Sequence, residues 1–416
     1  MRLKSKSILN CYRDIAALVA IFLFSSLAVF GQQAIVTFDG SNSPLPDNAV
    51  WDIAAGPDGT IWMGTDWGLA SYDGSNWQVY QTTNSGLPND AIKSLFVEDT
   101  NRVWVGTSIG GLALFDQGSW TVYNTSNSGL PSNHVRCMDM DDSGKLYVGT
   151  DNGLGMFAQG AWTVWNLPDS GIGSNNIPSI LVEGQDSMWL GTINAGLVHR
   201  QGNALDVFTL ANSGITDNTV LRIVKDSGDD LWLATPANGL IYYYNLLFIP
   251  YHRNNSSNPA LGHSSVILDQ NEVKWASTLD KGLVRYESPD WRNFEVANSD
   301  IPEDFIRSLT IDPVSGNIWG GTQNSGVFRL DPNILLSQEG VEAEEWDVFP
   351  NPATDLIRWS HDAKSMRLID LNGSEVLGIE PSLHQVSVGN LPNGLYLLEV
   401  KANSKIYFQR LRILHQ

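Results

Sequence analysis

Trp104-Val-Gly-Thr107 is a four-residue word that the chain repeats. It returns as Trp62-Met-Gly-Thr65, Tyr147-Val-Gly-Thr150, Trp189-Leu-Gly-Thr192, Trp232-Leu-Ala-Thr235, Trp275-Ala-Ser-Thr278 and Trp319-Gly-Gly-Thr322. The steps from aromatic to aromatic are 42, 43, 42, 43, 43 and 44 residues. A period in this range without helical spacing is that of a four-stranded propeller blade, so seven copies predict seven blades.

The text around each copy divides in the same way. From Asn127 to Trp165, four short runs (His134 to Asp139, Leu146 to Thr150, Leu154 to Phe157 and Trp162 to Trp165) are separated by turn residues such as Asp141-Asp-Ser-Gly144 and Asp151-Asn-Gly153. Alternating, β-branched and aromatic runs broken by Gly, Asp, Asn and Ser are the pattern of hairpins, here called strands a, b, c and d. The Gly of each word lacks a Cβ and lets neighbouring blades approach, the Thr suits a strand end, and the aromatic packs between blades.

Outward from the repeats, residues 1–31 hold Arg2, Lys4 and Lys6, an apolar run from Ile15 to Phe30 and a small residue, Gly31, which together read as a secretory signal peptide. Cys11 precedes the apolar run, so it is not placed to be a lipidated cysteine. Without this leader Cys137 is the one cysteine left, and no disulfide can form within the chain. The leader has four basic residues and one acidic one, so its removal takes the formal net charge from −20 to −23. Such a surface argues against nucleic acid and anionic membrane as partners.

Ala34-Ile-Val-Thr-Phe38 followed by Asn42-Ser-Pro-Leu-Pro46 reads like the end of a blade, compared with Trp77-Gln-Val-Tyr80 and Asn84-Ser-Gly-Leu-Pro88. The seventh repeat supplies three strands and stops. The N-terminal strand is therefore expected to complete it and close the ring, removing open sheet edges. An acidic stretch with Gln338-Glu-Gly-Val-Glu342 and Glu344-Glu345 then leads to Val348-Phe-Pro-Asn-Pro-Ala353, Leu368-Ile-Asp-Leu-Asn-Gly373, Leu391-Pro-Asn-Gly-Leu-Tyr396 and a last alternating run. This last part reads as a small sandwich of about seven short strands, with Gly373 and Gly394 in turns. The expected organisation is a leader over 1–31, a propeller over 32–333, a linker over 334–346 and a C-terminal β-sandwich over 347–416, an all-β chain throughout.

The words Asn-Ser-Gly-Leu-Pro, then Asp-x-x-Gly-x-Leu/Ile-Trp-Val-Gly-Thr, then Gly-Leu resemble the two-component regulator propeller repeats of the sensor regions of hybrid histidine kinases, over about residues 34–332. Those sensors carry two propellers, a β-sandwich, a membrane helix and a kinase, and often respond to polysaccharide breakdown products. One propeller and no signalling part are read here, so sensor kinase activity is not expected. Pro-Asn-Pro-Ala and Asn-Gly-Leu-Tyr, in this order, resemble the C-terminal sorting domain of the type IX (Por) secretion system, over residues 347–416. That resemblance implies passage by way of the periplasm to the cell surface or medium, and the secretion machinery as a partner. It also implies removal of the domain and often attachment to surface lipopolysaccharide. Relatives usually end in a lysine-rich word, whereas this chain ends in Arg410-Leu-Arg-Ile-Leu-His-Gln416.

Propellers bind ligands at the mouth of the central channel, where d–a and b–c connections gather. Aligned on their apolar residues, the seven a strands place Trp51, Lys93, Arg136, Pro178, Leu221, Val266 and Arg307 in equivalent positions, and the next position adds Asp52 and Arg222. Lys93, Arg136, Arg222 and Arg307 converging in so acidic a chain predict a site for an anionic saccharide or a partner's carboxylate, with Trp51 and Trp67 offering stacking area. The b–c loops add Asp66, Asp151-Asn152, Asn194, Asn238, Asp280-Lys281 and Gln323-Asn324 to the same face. The a–b turn acids Asp58, Asp141, Asp142, Asp226 and Asp312 belong to β-turns rather than to a calcium loop. No metal spacing, cofactor motif or nucleophile elbow is found. The chain is read as a secreted binding module without a cofactor. The alternative is a polysaccharide lyase with His134 as base and Arg136 or Arg222 neutralising a uronate.

Overall fold

The computed structural model describes residues 34–166, 170–288, 290–334, 353–359, 363–369, 375–402 and 405–415. The leader over 1–31, residues 335–346 of the linker, Val348 to Pro352 and Gly373 lie outside them. Within the described residues the chain separates into a unit spanning Gln33–Pro332 and one after it.

The first unit is a β-propeller of seven four-stranded antiparallel sheets. Blade one is Val50–Ala55, Ile61–Thr65, Gly68–Tyr72 and Trp77–Tyr80, paired in that order, and the next five blades repeat it. The a strands of successive blades touch one another all the way round, from Val50–Ala55 through Ile306–Ile311 and back, so they line the central channel. The last blade takes Ile306–Ile311, Ile318–Thr322 and Val327–Leu330 from its own repeat. Its outer strand is Ile35–Phe38, which runs antiparallel to the third with Ile35 opposite Leu330 and Phe38 opposite Val327. The Phe38 ring stacks on Trp319 at 5.6 Å, as befits a d strand.

The b strands explain why the word repeats. Ile61–Thr65, Leu146–Thr150 and Ile318–Thr322 are buried at every residue. In several repeats the aromatic reaches a ring of the next blade: Trp62 meets Phe115 at 5.7 Å, Trp104 meets Phe157 at 6.1 Å and Trp189 meets Tyr243 at 5.4 Å. Such edge and tilted pairs contribute about 0.5 to 1.5 kcal/mol each beyond the area they bury. The Gly sits against the first residue of the next a strand: a Cβ on Gly64 would stand 2.6 Å from Ile92 Cγ2, one on Gly106 2.6 Å from Val135 Cγ1, and one on Gly321 2.7 Å from Val50 Cγ1. All seven Thr hydroxyls donate to the carbonyl of a glycine at the start of strand c, from Thr65 to Gly68 at 2.7 Å to Thr322 to Gly326 at 2.8 Å, which fastens the b–c turn.

The second unit is a pair of small sheets. Leu356–Arg358 pairs with Gln385–Ser387, and a four-stranded sheet runs in the order Glu375–Ile379, Ser365–Ile369, Gly394–Ala402, Lys405–Ile413. That makes six strands among the described residues, where the sequence suggests about seven. Ile357, Leu368, Val388, Leu398, Val400 and Ile413 form its core. Gly394, expected in a turn, is the first residue of a strand. The Asn-Gly-Leu-Tyr word is a clasp: Tyr396 is buried and its hydroxyl donates to Pro392 O at 2.9 Å, while Asn393 Oδ1 accepts the His415 N–H at 2.6 Å.

Candidate functional site

Five a strands begin with a slip in the ladder. Val50 pairs with Thr65 but Asp52 pairs with Gly64, and the same skip separates Ile92 from Ser94, Val135 from Cys137, His263 from Ser265 and Ile306 from Ser308. The skipped residues are Trp51, Lys93, Arg136, Ser264 and Arg307. An extra residue in a bulge is unpaired in the ladder and its side chain is re-aimed. Here the re-aimed side chains meet the b–c loops at one mouth of the channel: Lys93 reaches Asp66, Arg136 reaches Asp151, and Arg307 donates to Gln323 Oε1 at 3.1 Å.

Blade six departs from the sequence alignment. Its bulged residue is Ser264, whereas Val266 is fully buried and faces Ala276 in the ladder. The cause is His263, which fills the slot held by Val50, Ile92, Val135 or Ile306 elsewhere. It is fully buried, its ring contacts Asn258 and the Ser277 carbonyl, and burial drives its pKa down to about 4, so it sits there uncharged. An alignment on apolar residues alone passes over such a histidine.

Trp51 is the centre of the mouth. Lys93 Nζ lies 3.4 Å and Arg307 Cζ 3.7 Å from its ring centroid, and Lys93 closes on Asp66 at 2.6 Å. Burial disfavours the Asp66 carboxylate, but the Lys93 hydrogen bond, the nearby Trp51 indole and the charges of Lys93 and Arg307 together hold its pKa below the usual value. Burial also lowers the pKa of Lys93 and of Arg307, against the pull of Asp66 on both. A second group stands beside it, with Asp151 accepting from Arg136 Nε and lying 2.6 Å from His134 Nδ1. Burial lowers the His134 pKa below the usual imidazole value, and Arg136 and Lys93 add to that, while Asp151 opposes. Trp67 is 62% exposed on the same face and makes no ring contact with Trp51 among the described residues.

Below the mouth the residue after the bulge is small and polar in five blades, as Ser94, Cys137, Ser179, Ser265 and Ser308, and is Asp52 in the first. Many of these stitch blade to blade: Ser94 donates to Val135 O at 3.2 Å, Ser179 Oγ accepts from Ile223 N at 3.1 Å, and Asp52 accepts from Leu95 N at 2.8 Å and Ser308 Oγ at 2.7 Å. In blade five this residue is Arg222. It is exposed to the channel, and its guanidinium makes no hydrogen bond or ion pair among the described residues. Its charge is felt across the channel: burial raises the carboxyl pKa of Asp52 and of Asp139, and Arg222 partly offsets both.

The six candidate residues therefore fall into three situations. Lys93 and Arg136 are already paired with acids, so the mouth is zwitterionic rather than simply cationic. Trp51 and Arg307 are stacked together, while Trp67 and Arg222 stand free of such partners. Sequence reasoning found the cations and the loop acids but missed that Asp66 and Asp151 neutralise two of them; the signal was there, since each acid directly follows the Thr of its word. Among the described residues no cluster of three or more His, Cys, Asp or Glu is arranged to hold a metal ion, and no helix is long and apolar enough to cross a membrane.

The family models agree with this architecture. Residues 44–67 and 129–152 match the two component regulator propeller, and residues 347–413 match the secretion system C-terminal sorting domain. The extracellular domain of a hybrid two component system from B. thetaiotaomicron is similar at a TM-score of 0.63 and 16% identity, over 92% of this chain and 55% of that one. PorZ of Porphyromonas gingivalis, described as an essential surface component of the type-IX secretion system, is similar at 0.59 and 17%, over 91% and 61%. Virginiamycin B lyase from Staphylococcus aureus is similar at 0.56 and 13%, over 71% and 98%. The chain thus covers less than two thirds of the first two, and at these identities the likeness is one of fold. No curated protein sequence matches. The sorting domain marks the protein for the type IX machinery and for export to the cell surface or medium. The chain joins a two component regulator propeller to a secretion system C-terminal sorting domain.

Proposed function

We propose that the protein is a surface or secreted binding module, reached through a leader over 1–31, and that its channel mouth takes a small anionic saccharide. Arg222 carries this reading: it is an exposed guanidinium with no hydrogen-bonding partner among the described residues, at a place where five blades hold a small side chain. A ligand carboxylate entering the channel meets Arg222, while Trp67 offers an exposed ring face and Lys93, Arg136 and Arg307, with Trp51 held between Lys93 and Arg307, supply donors at the rim. The paired acids Asp66 and Asp151 accept hydroxyl protons, which favours a sugar acid over a bare anion.

A titration of the intact chain with uronic acid oligosaccharides tests this. Arg222→Gln is expected to weaken binding by about 2 kcal/mol, in the range of a hydrogen bond to a charged group. Equal affinity of Arg222→Gln and wild type for a bound uronate overturns the site.

One observation favours a second reading, in which the same ligand is cleaved. His134, its pKa held down by burial, is oriented by Asp151 at 2.6 Å, with Arg136 on the other carboxylate oxygen, an arrangement suited to a general base beside a carboxylate clamp. In a lyase reaction His134 takes the proton α to the uronate carboxyl, a C=C bond forms, and the glycosidic C–O bond breaks with protonation of the leaving oxygen. Ultraviolet detection of the unsaturated product decides it. Binding without product leaves the module reading, whereas product lost in His134→Gln establishes the enzyme.

A further inference from the structure

Antiparallel alternation places the a–b and c–d turns of every blade on the face opposite the mouth. On that face, between blades five and six, lies a cleft of ≈ 370 Å³, within the roughly 300 to 1,000 Å³ common for small-molecule sites. One residue distinguishes this junction. The residue before the b-strand aromatic is Ile61, Val103, Leu146, Met188, Leu231 or Ile318 in the other six blades, each buried. In blade six it is Lys274, paired in the ladder with Leu268 and Tyr286 just as Leu231 is paired with Lys225 and Tyr243. A lysine at a core position leaves the blade interface unfilled and puts an ammonium into it.

The walls are aromatic. Trp232, Tyr242, Tyr251 and Tyr286 line the cleft, with Trp232 4.8 Å from Tyr242 and 5.5 Å from Tyr286 by ring centroids. Lys274 Nζ lies 5.1 Å from the Trp232 centroid and makes no hydrogen bond or ion pair among the described residues. Three carboxylates complete the lining. Asp226 accepts the Trp232 indole N–H at 3.3 Å, Glu272 accepts Ser227 N at 3.4 Å, and Glu287 accepts Arg285 at 2.5 Å, so each is held in place with lone pairs to spare.

Charge selects the occupant. A cation meets Lys274, and an anion meets three carboxylates. A neutral polyol meets neither objection: its hydroxyls donate to the carboxylates and accept from Lys274, and its C–H face lies against the rings. We propose that the cleft between blades five and six binds a neutral pyranose residue, at a site that shares no side chain with the mouth and does not depend on it.

The intact chain is tested against a panel of neutral methyl hexopyranosides and their neutral oligosaccharides, read by binding and by ligand-induced changes in tryptophan fluorescence. Lys274→Leu restores an apolar residue, as the other six blades have at this position. It is expected to keep or raise the melting temperature while losing at least tenfold in affinity. Arg222→Gln is expected to bind the neutral sugar as wild type does, which separates this site from the mouth. No binding across the panel, wild-type affinity in Lys274→Leu, or loss of binding in Arg222→Gln each overturns the proposal. Should Lys274→Leu fail to fold, Glu287→Gln, exposed at the rim, is measured instead. A loss of severalfold or more supports the site, and wild-type affinity overturns it.

Discussion

The b strands and the starts of the a strands come from the same repeat and lie side by side, yet one varies little between blades and the other varies freely. In the b strands nearly every side chain from the aromatic to the Thr is enclosed between blades, so a change of one methyl group is felt by the neighbours; a Cβ on Gly106 would stand 2.6 Å from Val135 Cγ1 of the next blade. The bulged a-strand positions hold Trp51, Lys93, Arg136, Ser264 and Arg307, and the ring closes all the same. Packing constrains the first set and leaves the second free to vary. Changes in the b strands should therefore cost stability, and changes at the mouth should cost binding.

Gly106→Val is the most severe way to break that contrast. Its Cβ alone would stand 2.6 Å from Val135 Cγ1, and Gly106 has an ordinary negative-φ backbone, so the clash acts alone and no strain is relieved. Overpacking of this kind costs about 3 kcal/mol, at the upper end of the usual range. Urea unfolding of the intact chain measures it. A loss under about 0.5 kcal/mol would mean that blades do not pack as tightly as the repeat implies.

The same contrast explains what was legible in the sequence. Period, blade number and the role of Gly and Thr follow from the repeated word because each is enforced at seven equivalent places. The tail was legible for another reason, since the Tyr396 hydroxyl bonds the Pro392 carbonyl only four residues away, within one short word, although the His415 that Asn393 accepts from lies 22 residues on. The mouth was only half legible. The cations stood out at bulge positions, but their acids come from loops 15 or 27 residues away, and nothing in the order of residues says that Lys93 turns to Asp66 in the preceding blade while Arg136 turns to Asp151 in its own. Ser264 was missed because His263 poses as an aliphatic residue. Lys274 could have been found, being the one charged residue directly before a b-strand aromatic.

Arg222→Gln sharpens the comparison from the other side, with a smaller effect on the fold. Burial raises the carboxyl pKa of Asp52 and Asp139, so their contribution to stability is full below the unfolded value of 3.8 and is lost as pH rises through the raised folded values. Arg222 limits that loss by favouring the charged forms. Its removal raises both folded pKa values further, so the variant should match wild type near pH 3 and be less stable at pH 7. The expected gap is about 1 kcal/mol or less, since the guanidinium is exposed and water screens it. Unfolding at both pH values measures it, and a gap that is equal at both, or larger at pH 3, would remove the electrostatic link between the blades.

Leu246→Gly probes a third place where a blade leaves the pattern, this time at a turn, and it should be the smallest effect and of opposite sign. The c–d turns of blades two and three are Gln117-Gly118 and Gln159-Gly160, with φ of 49° and 88°, and 51° and 82°. In blade five the same turn is Asn245-Leu246, with φ of 47° and 65°, so a leucine takes a left-handed conformation that glycine holds elsewhere. That conformation costs an L-residue roughly 1 to 2 kcal/mol. Glycine removes the cost, but its freer unfolded chain gives back about 0.5 to 1 kcal/mol. Leu246 is 74% exposed, so little burial is lost with it. A net gain of about 0.5 kcal/mol should appear as a higher urea midpoint with an unchanged slope. A clear loss instead would show that Leu246 is held by contacts that make this departure structural, and would place it with the b strands rather than with the mouth.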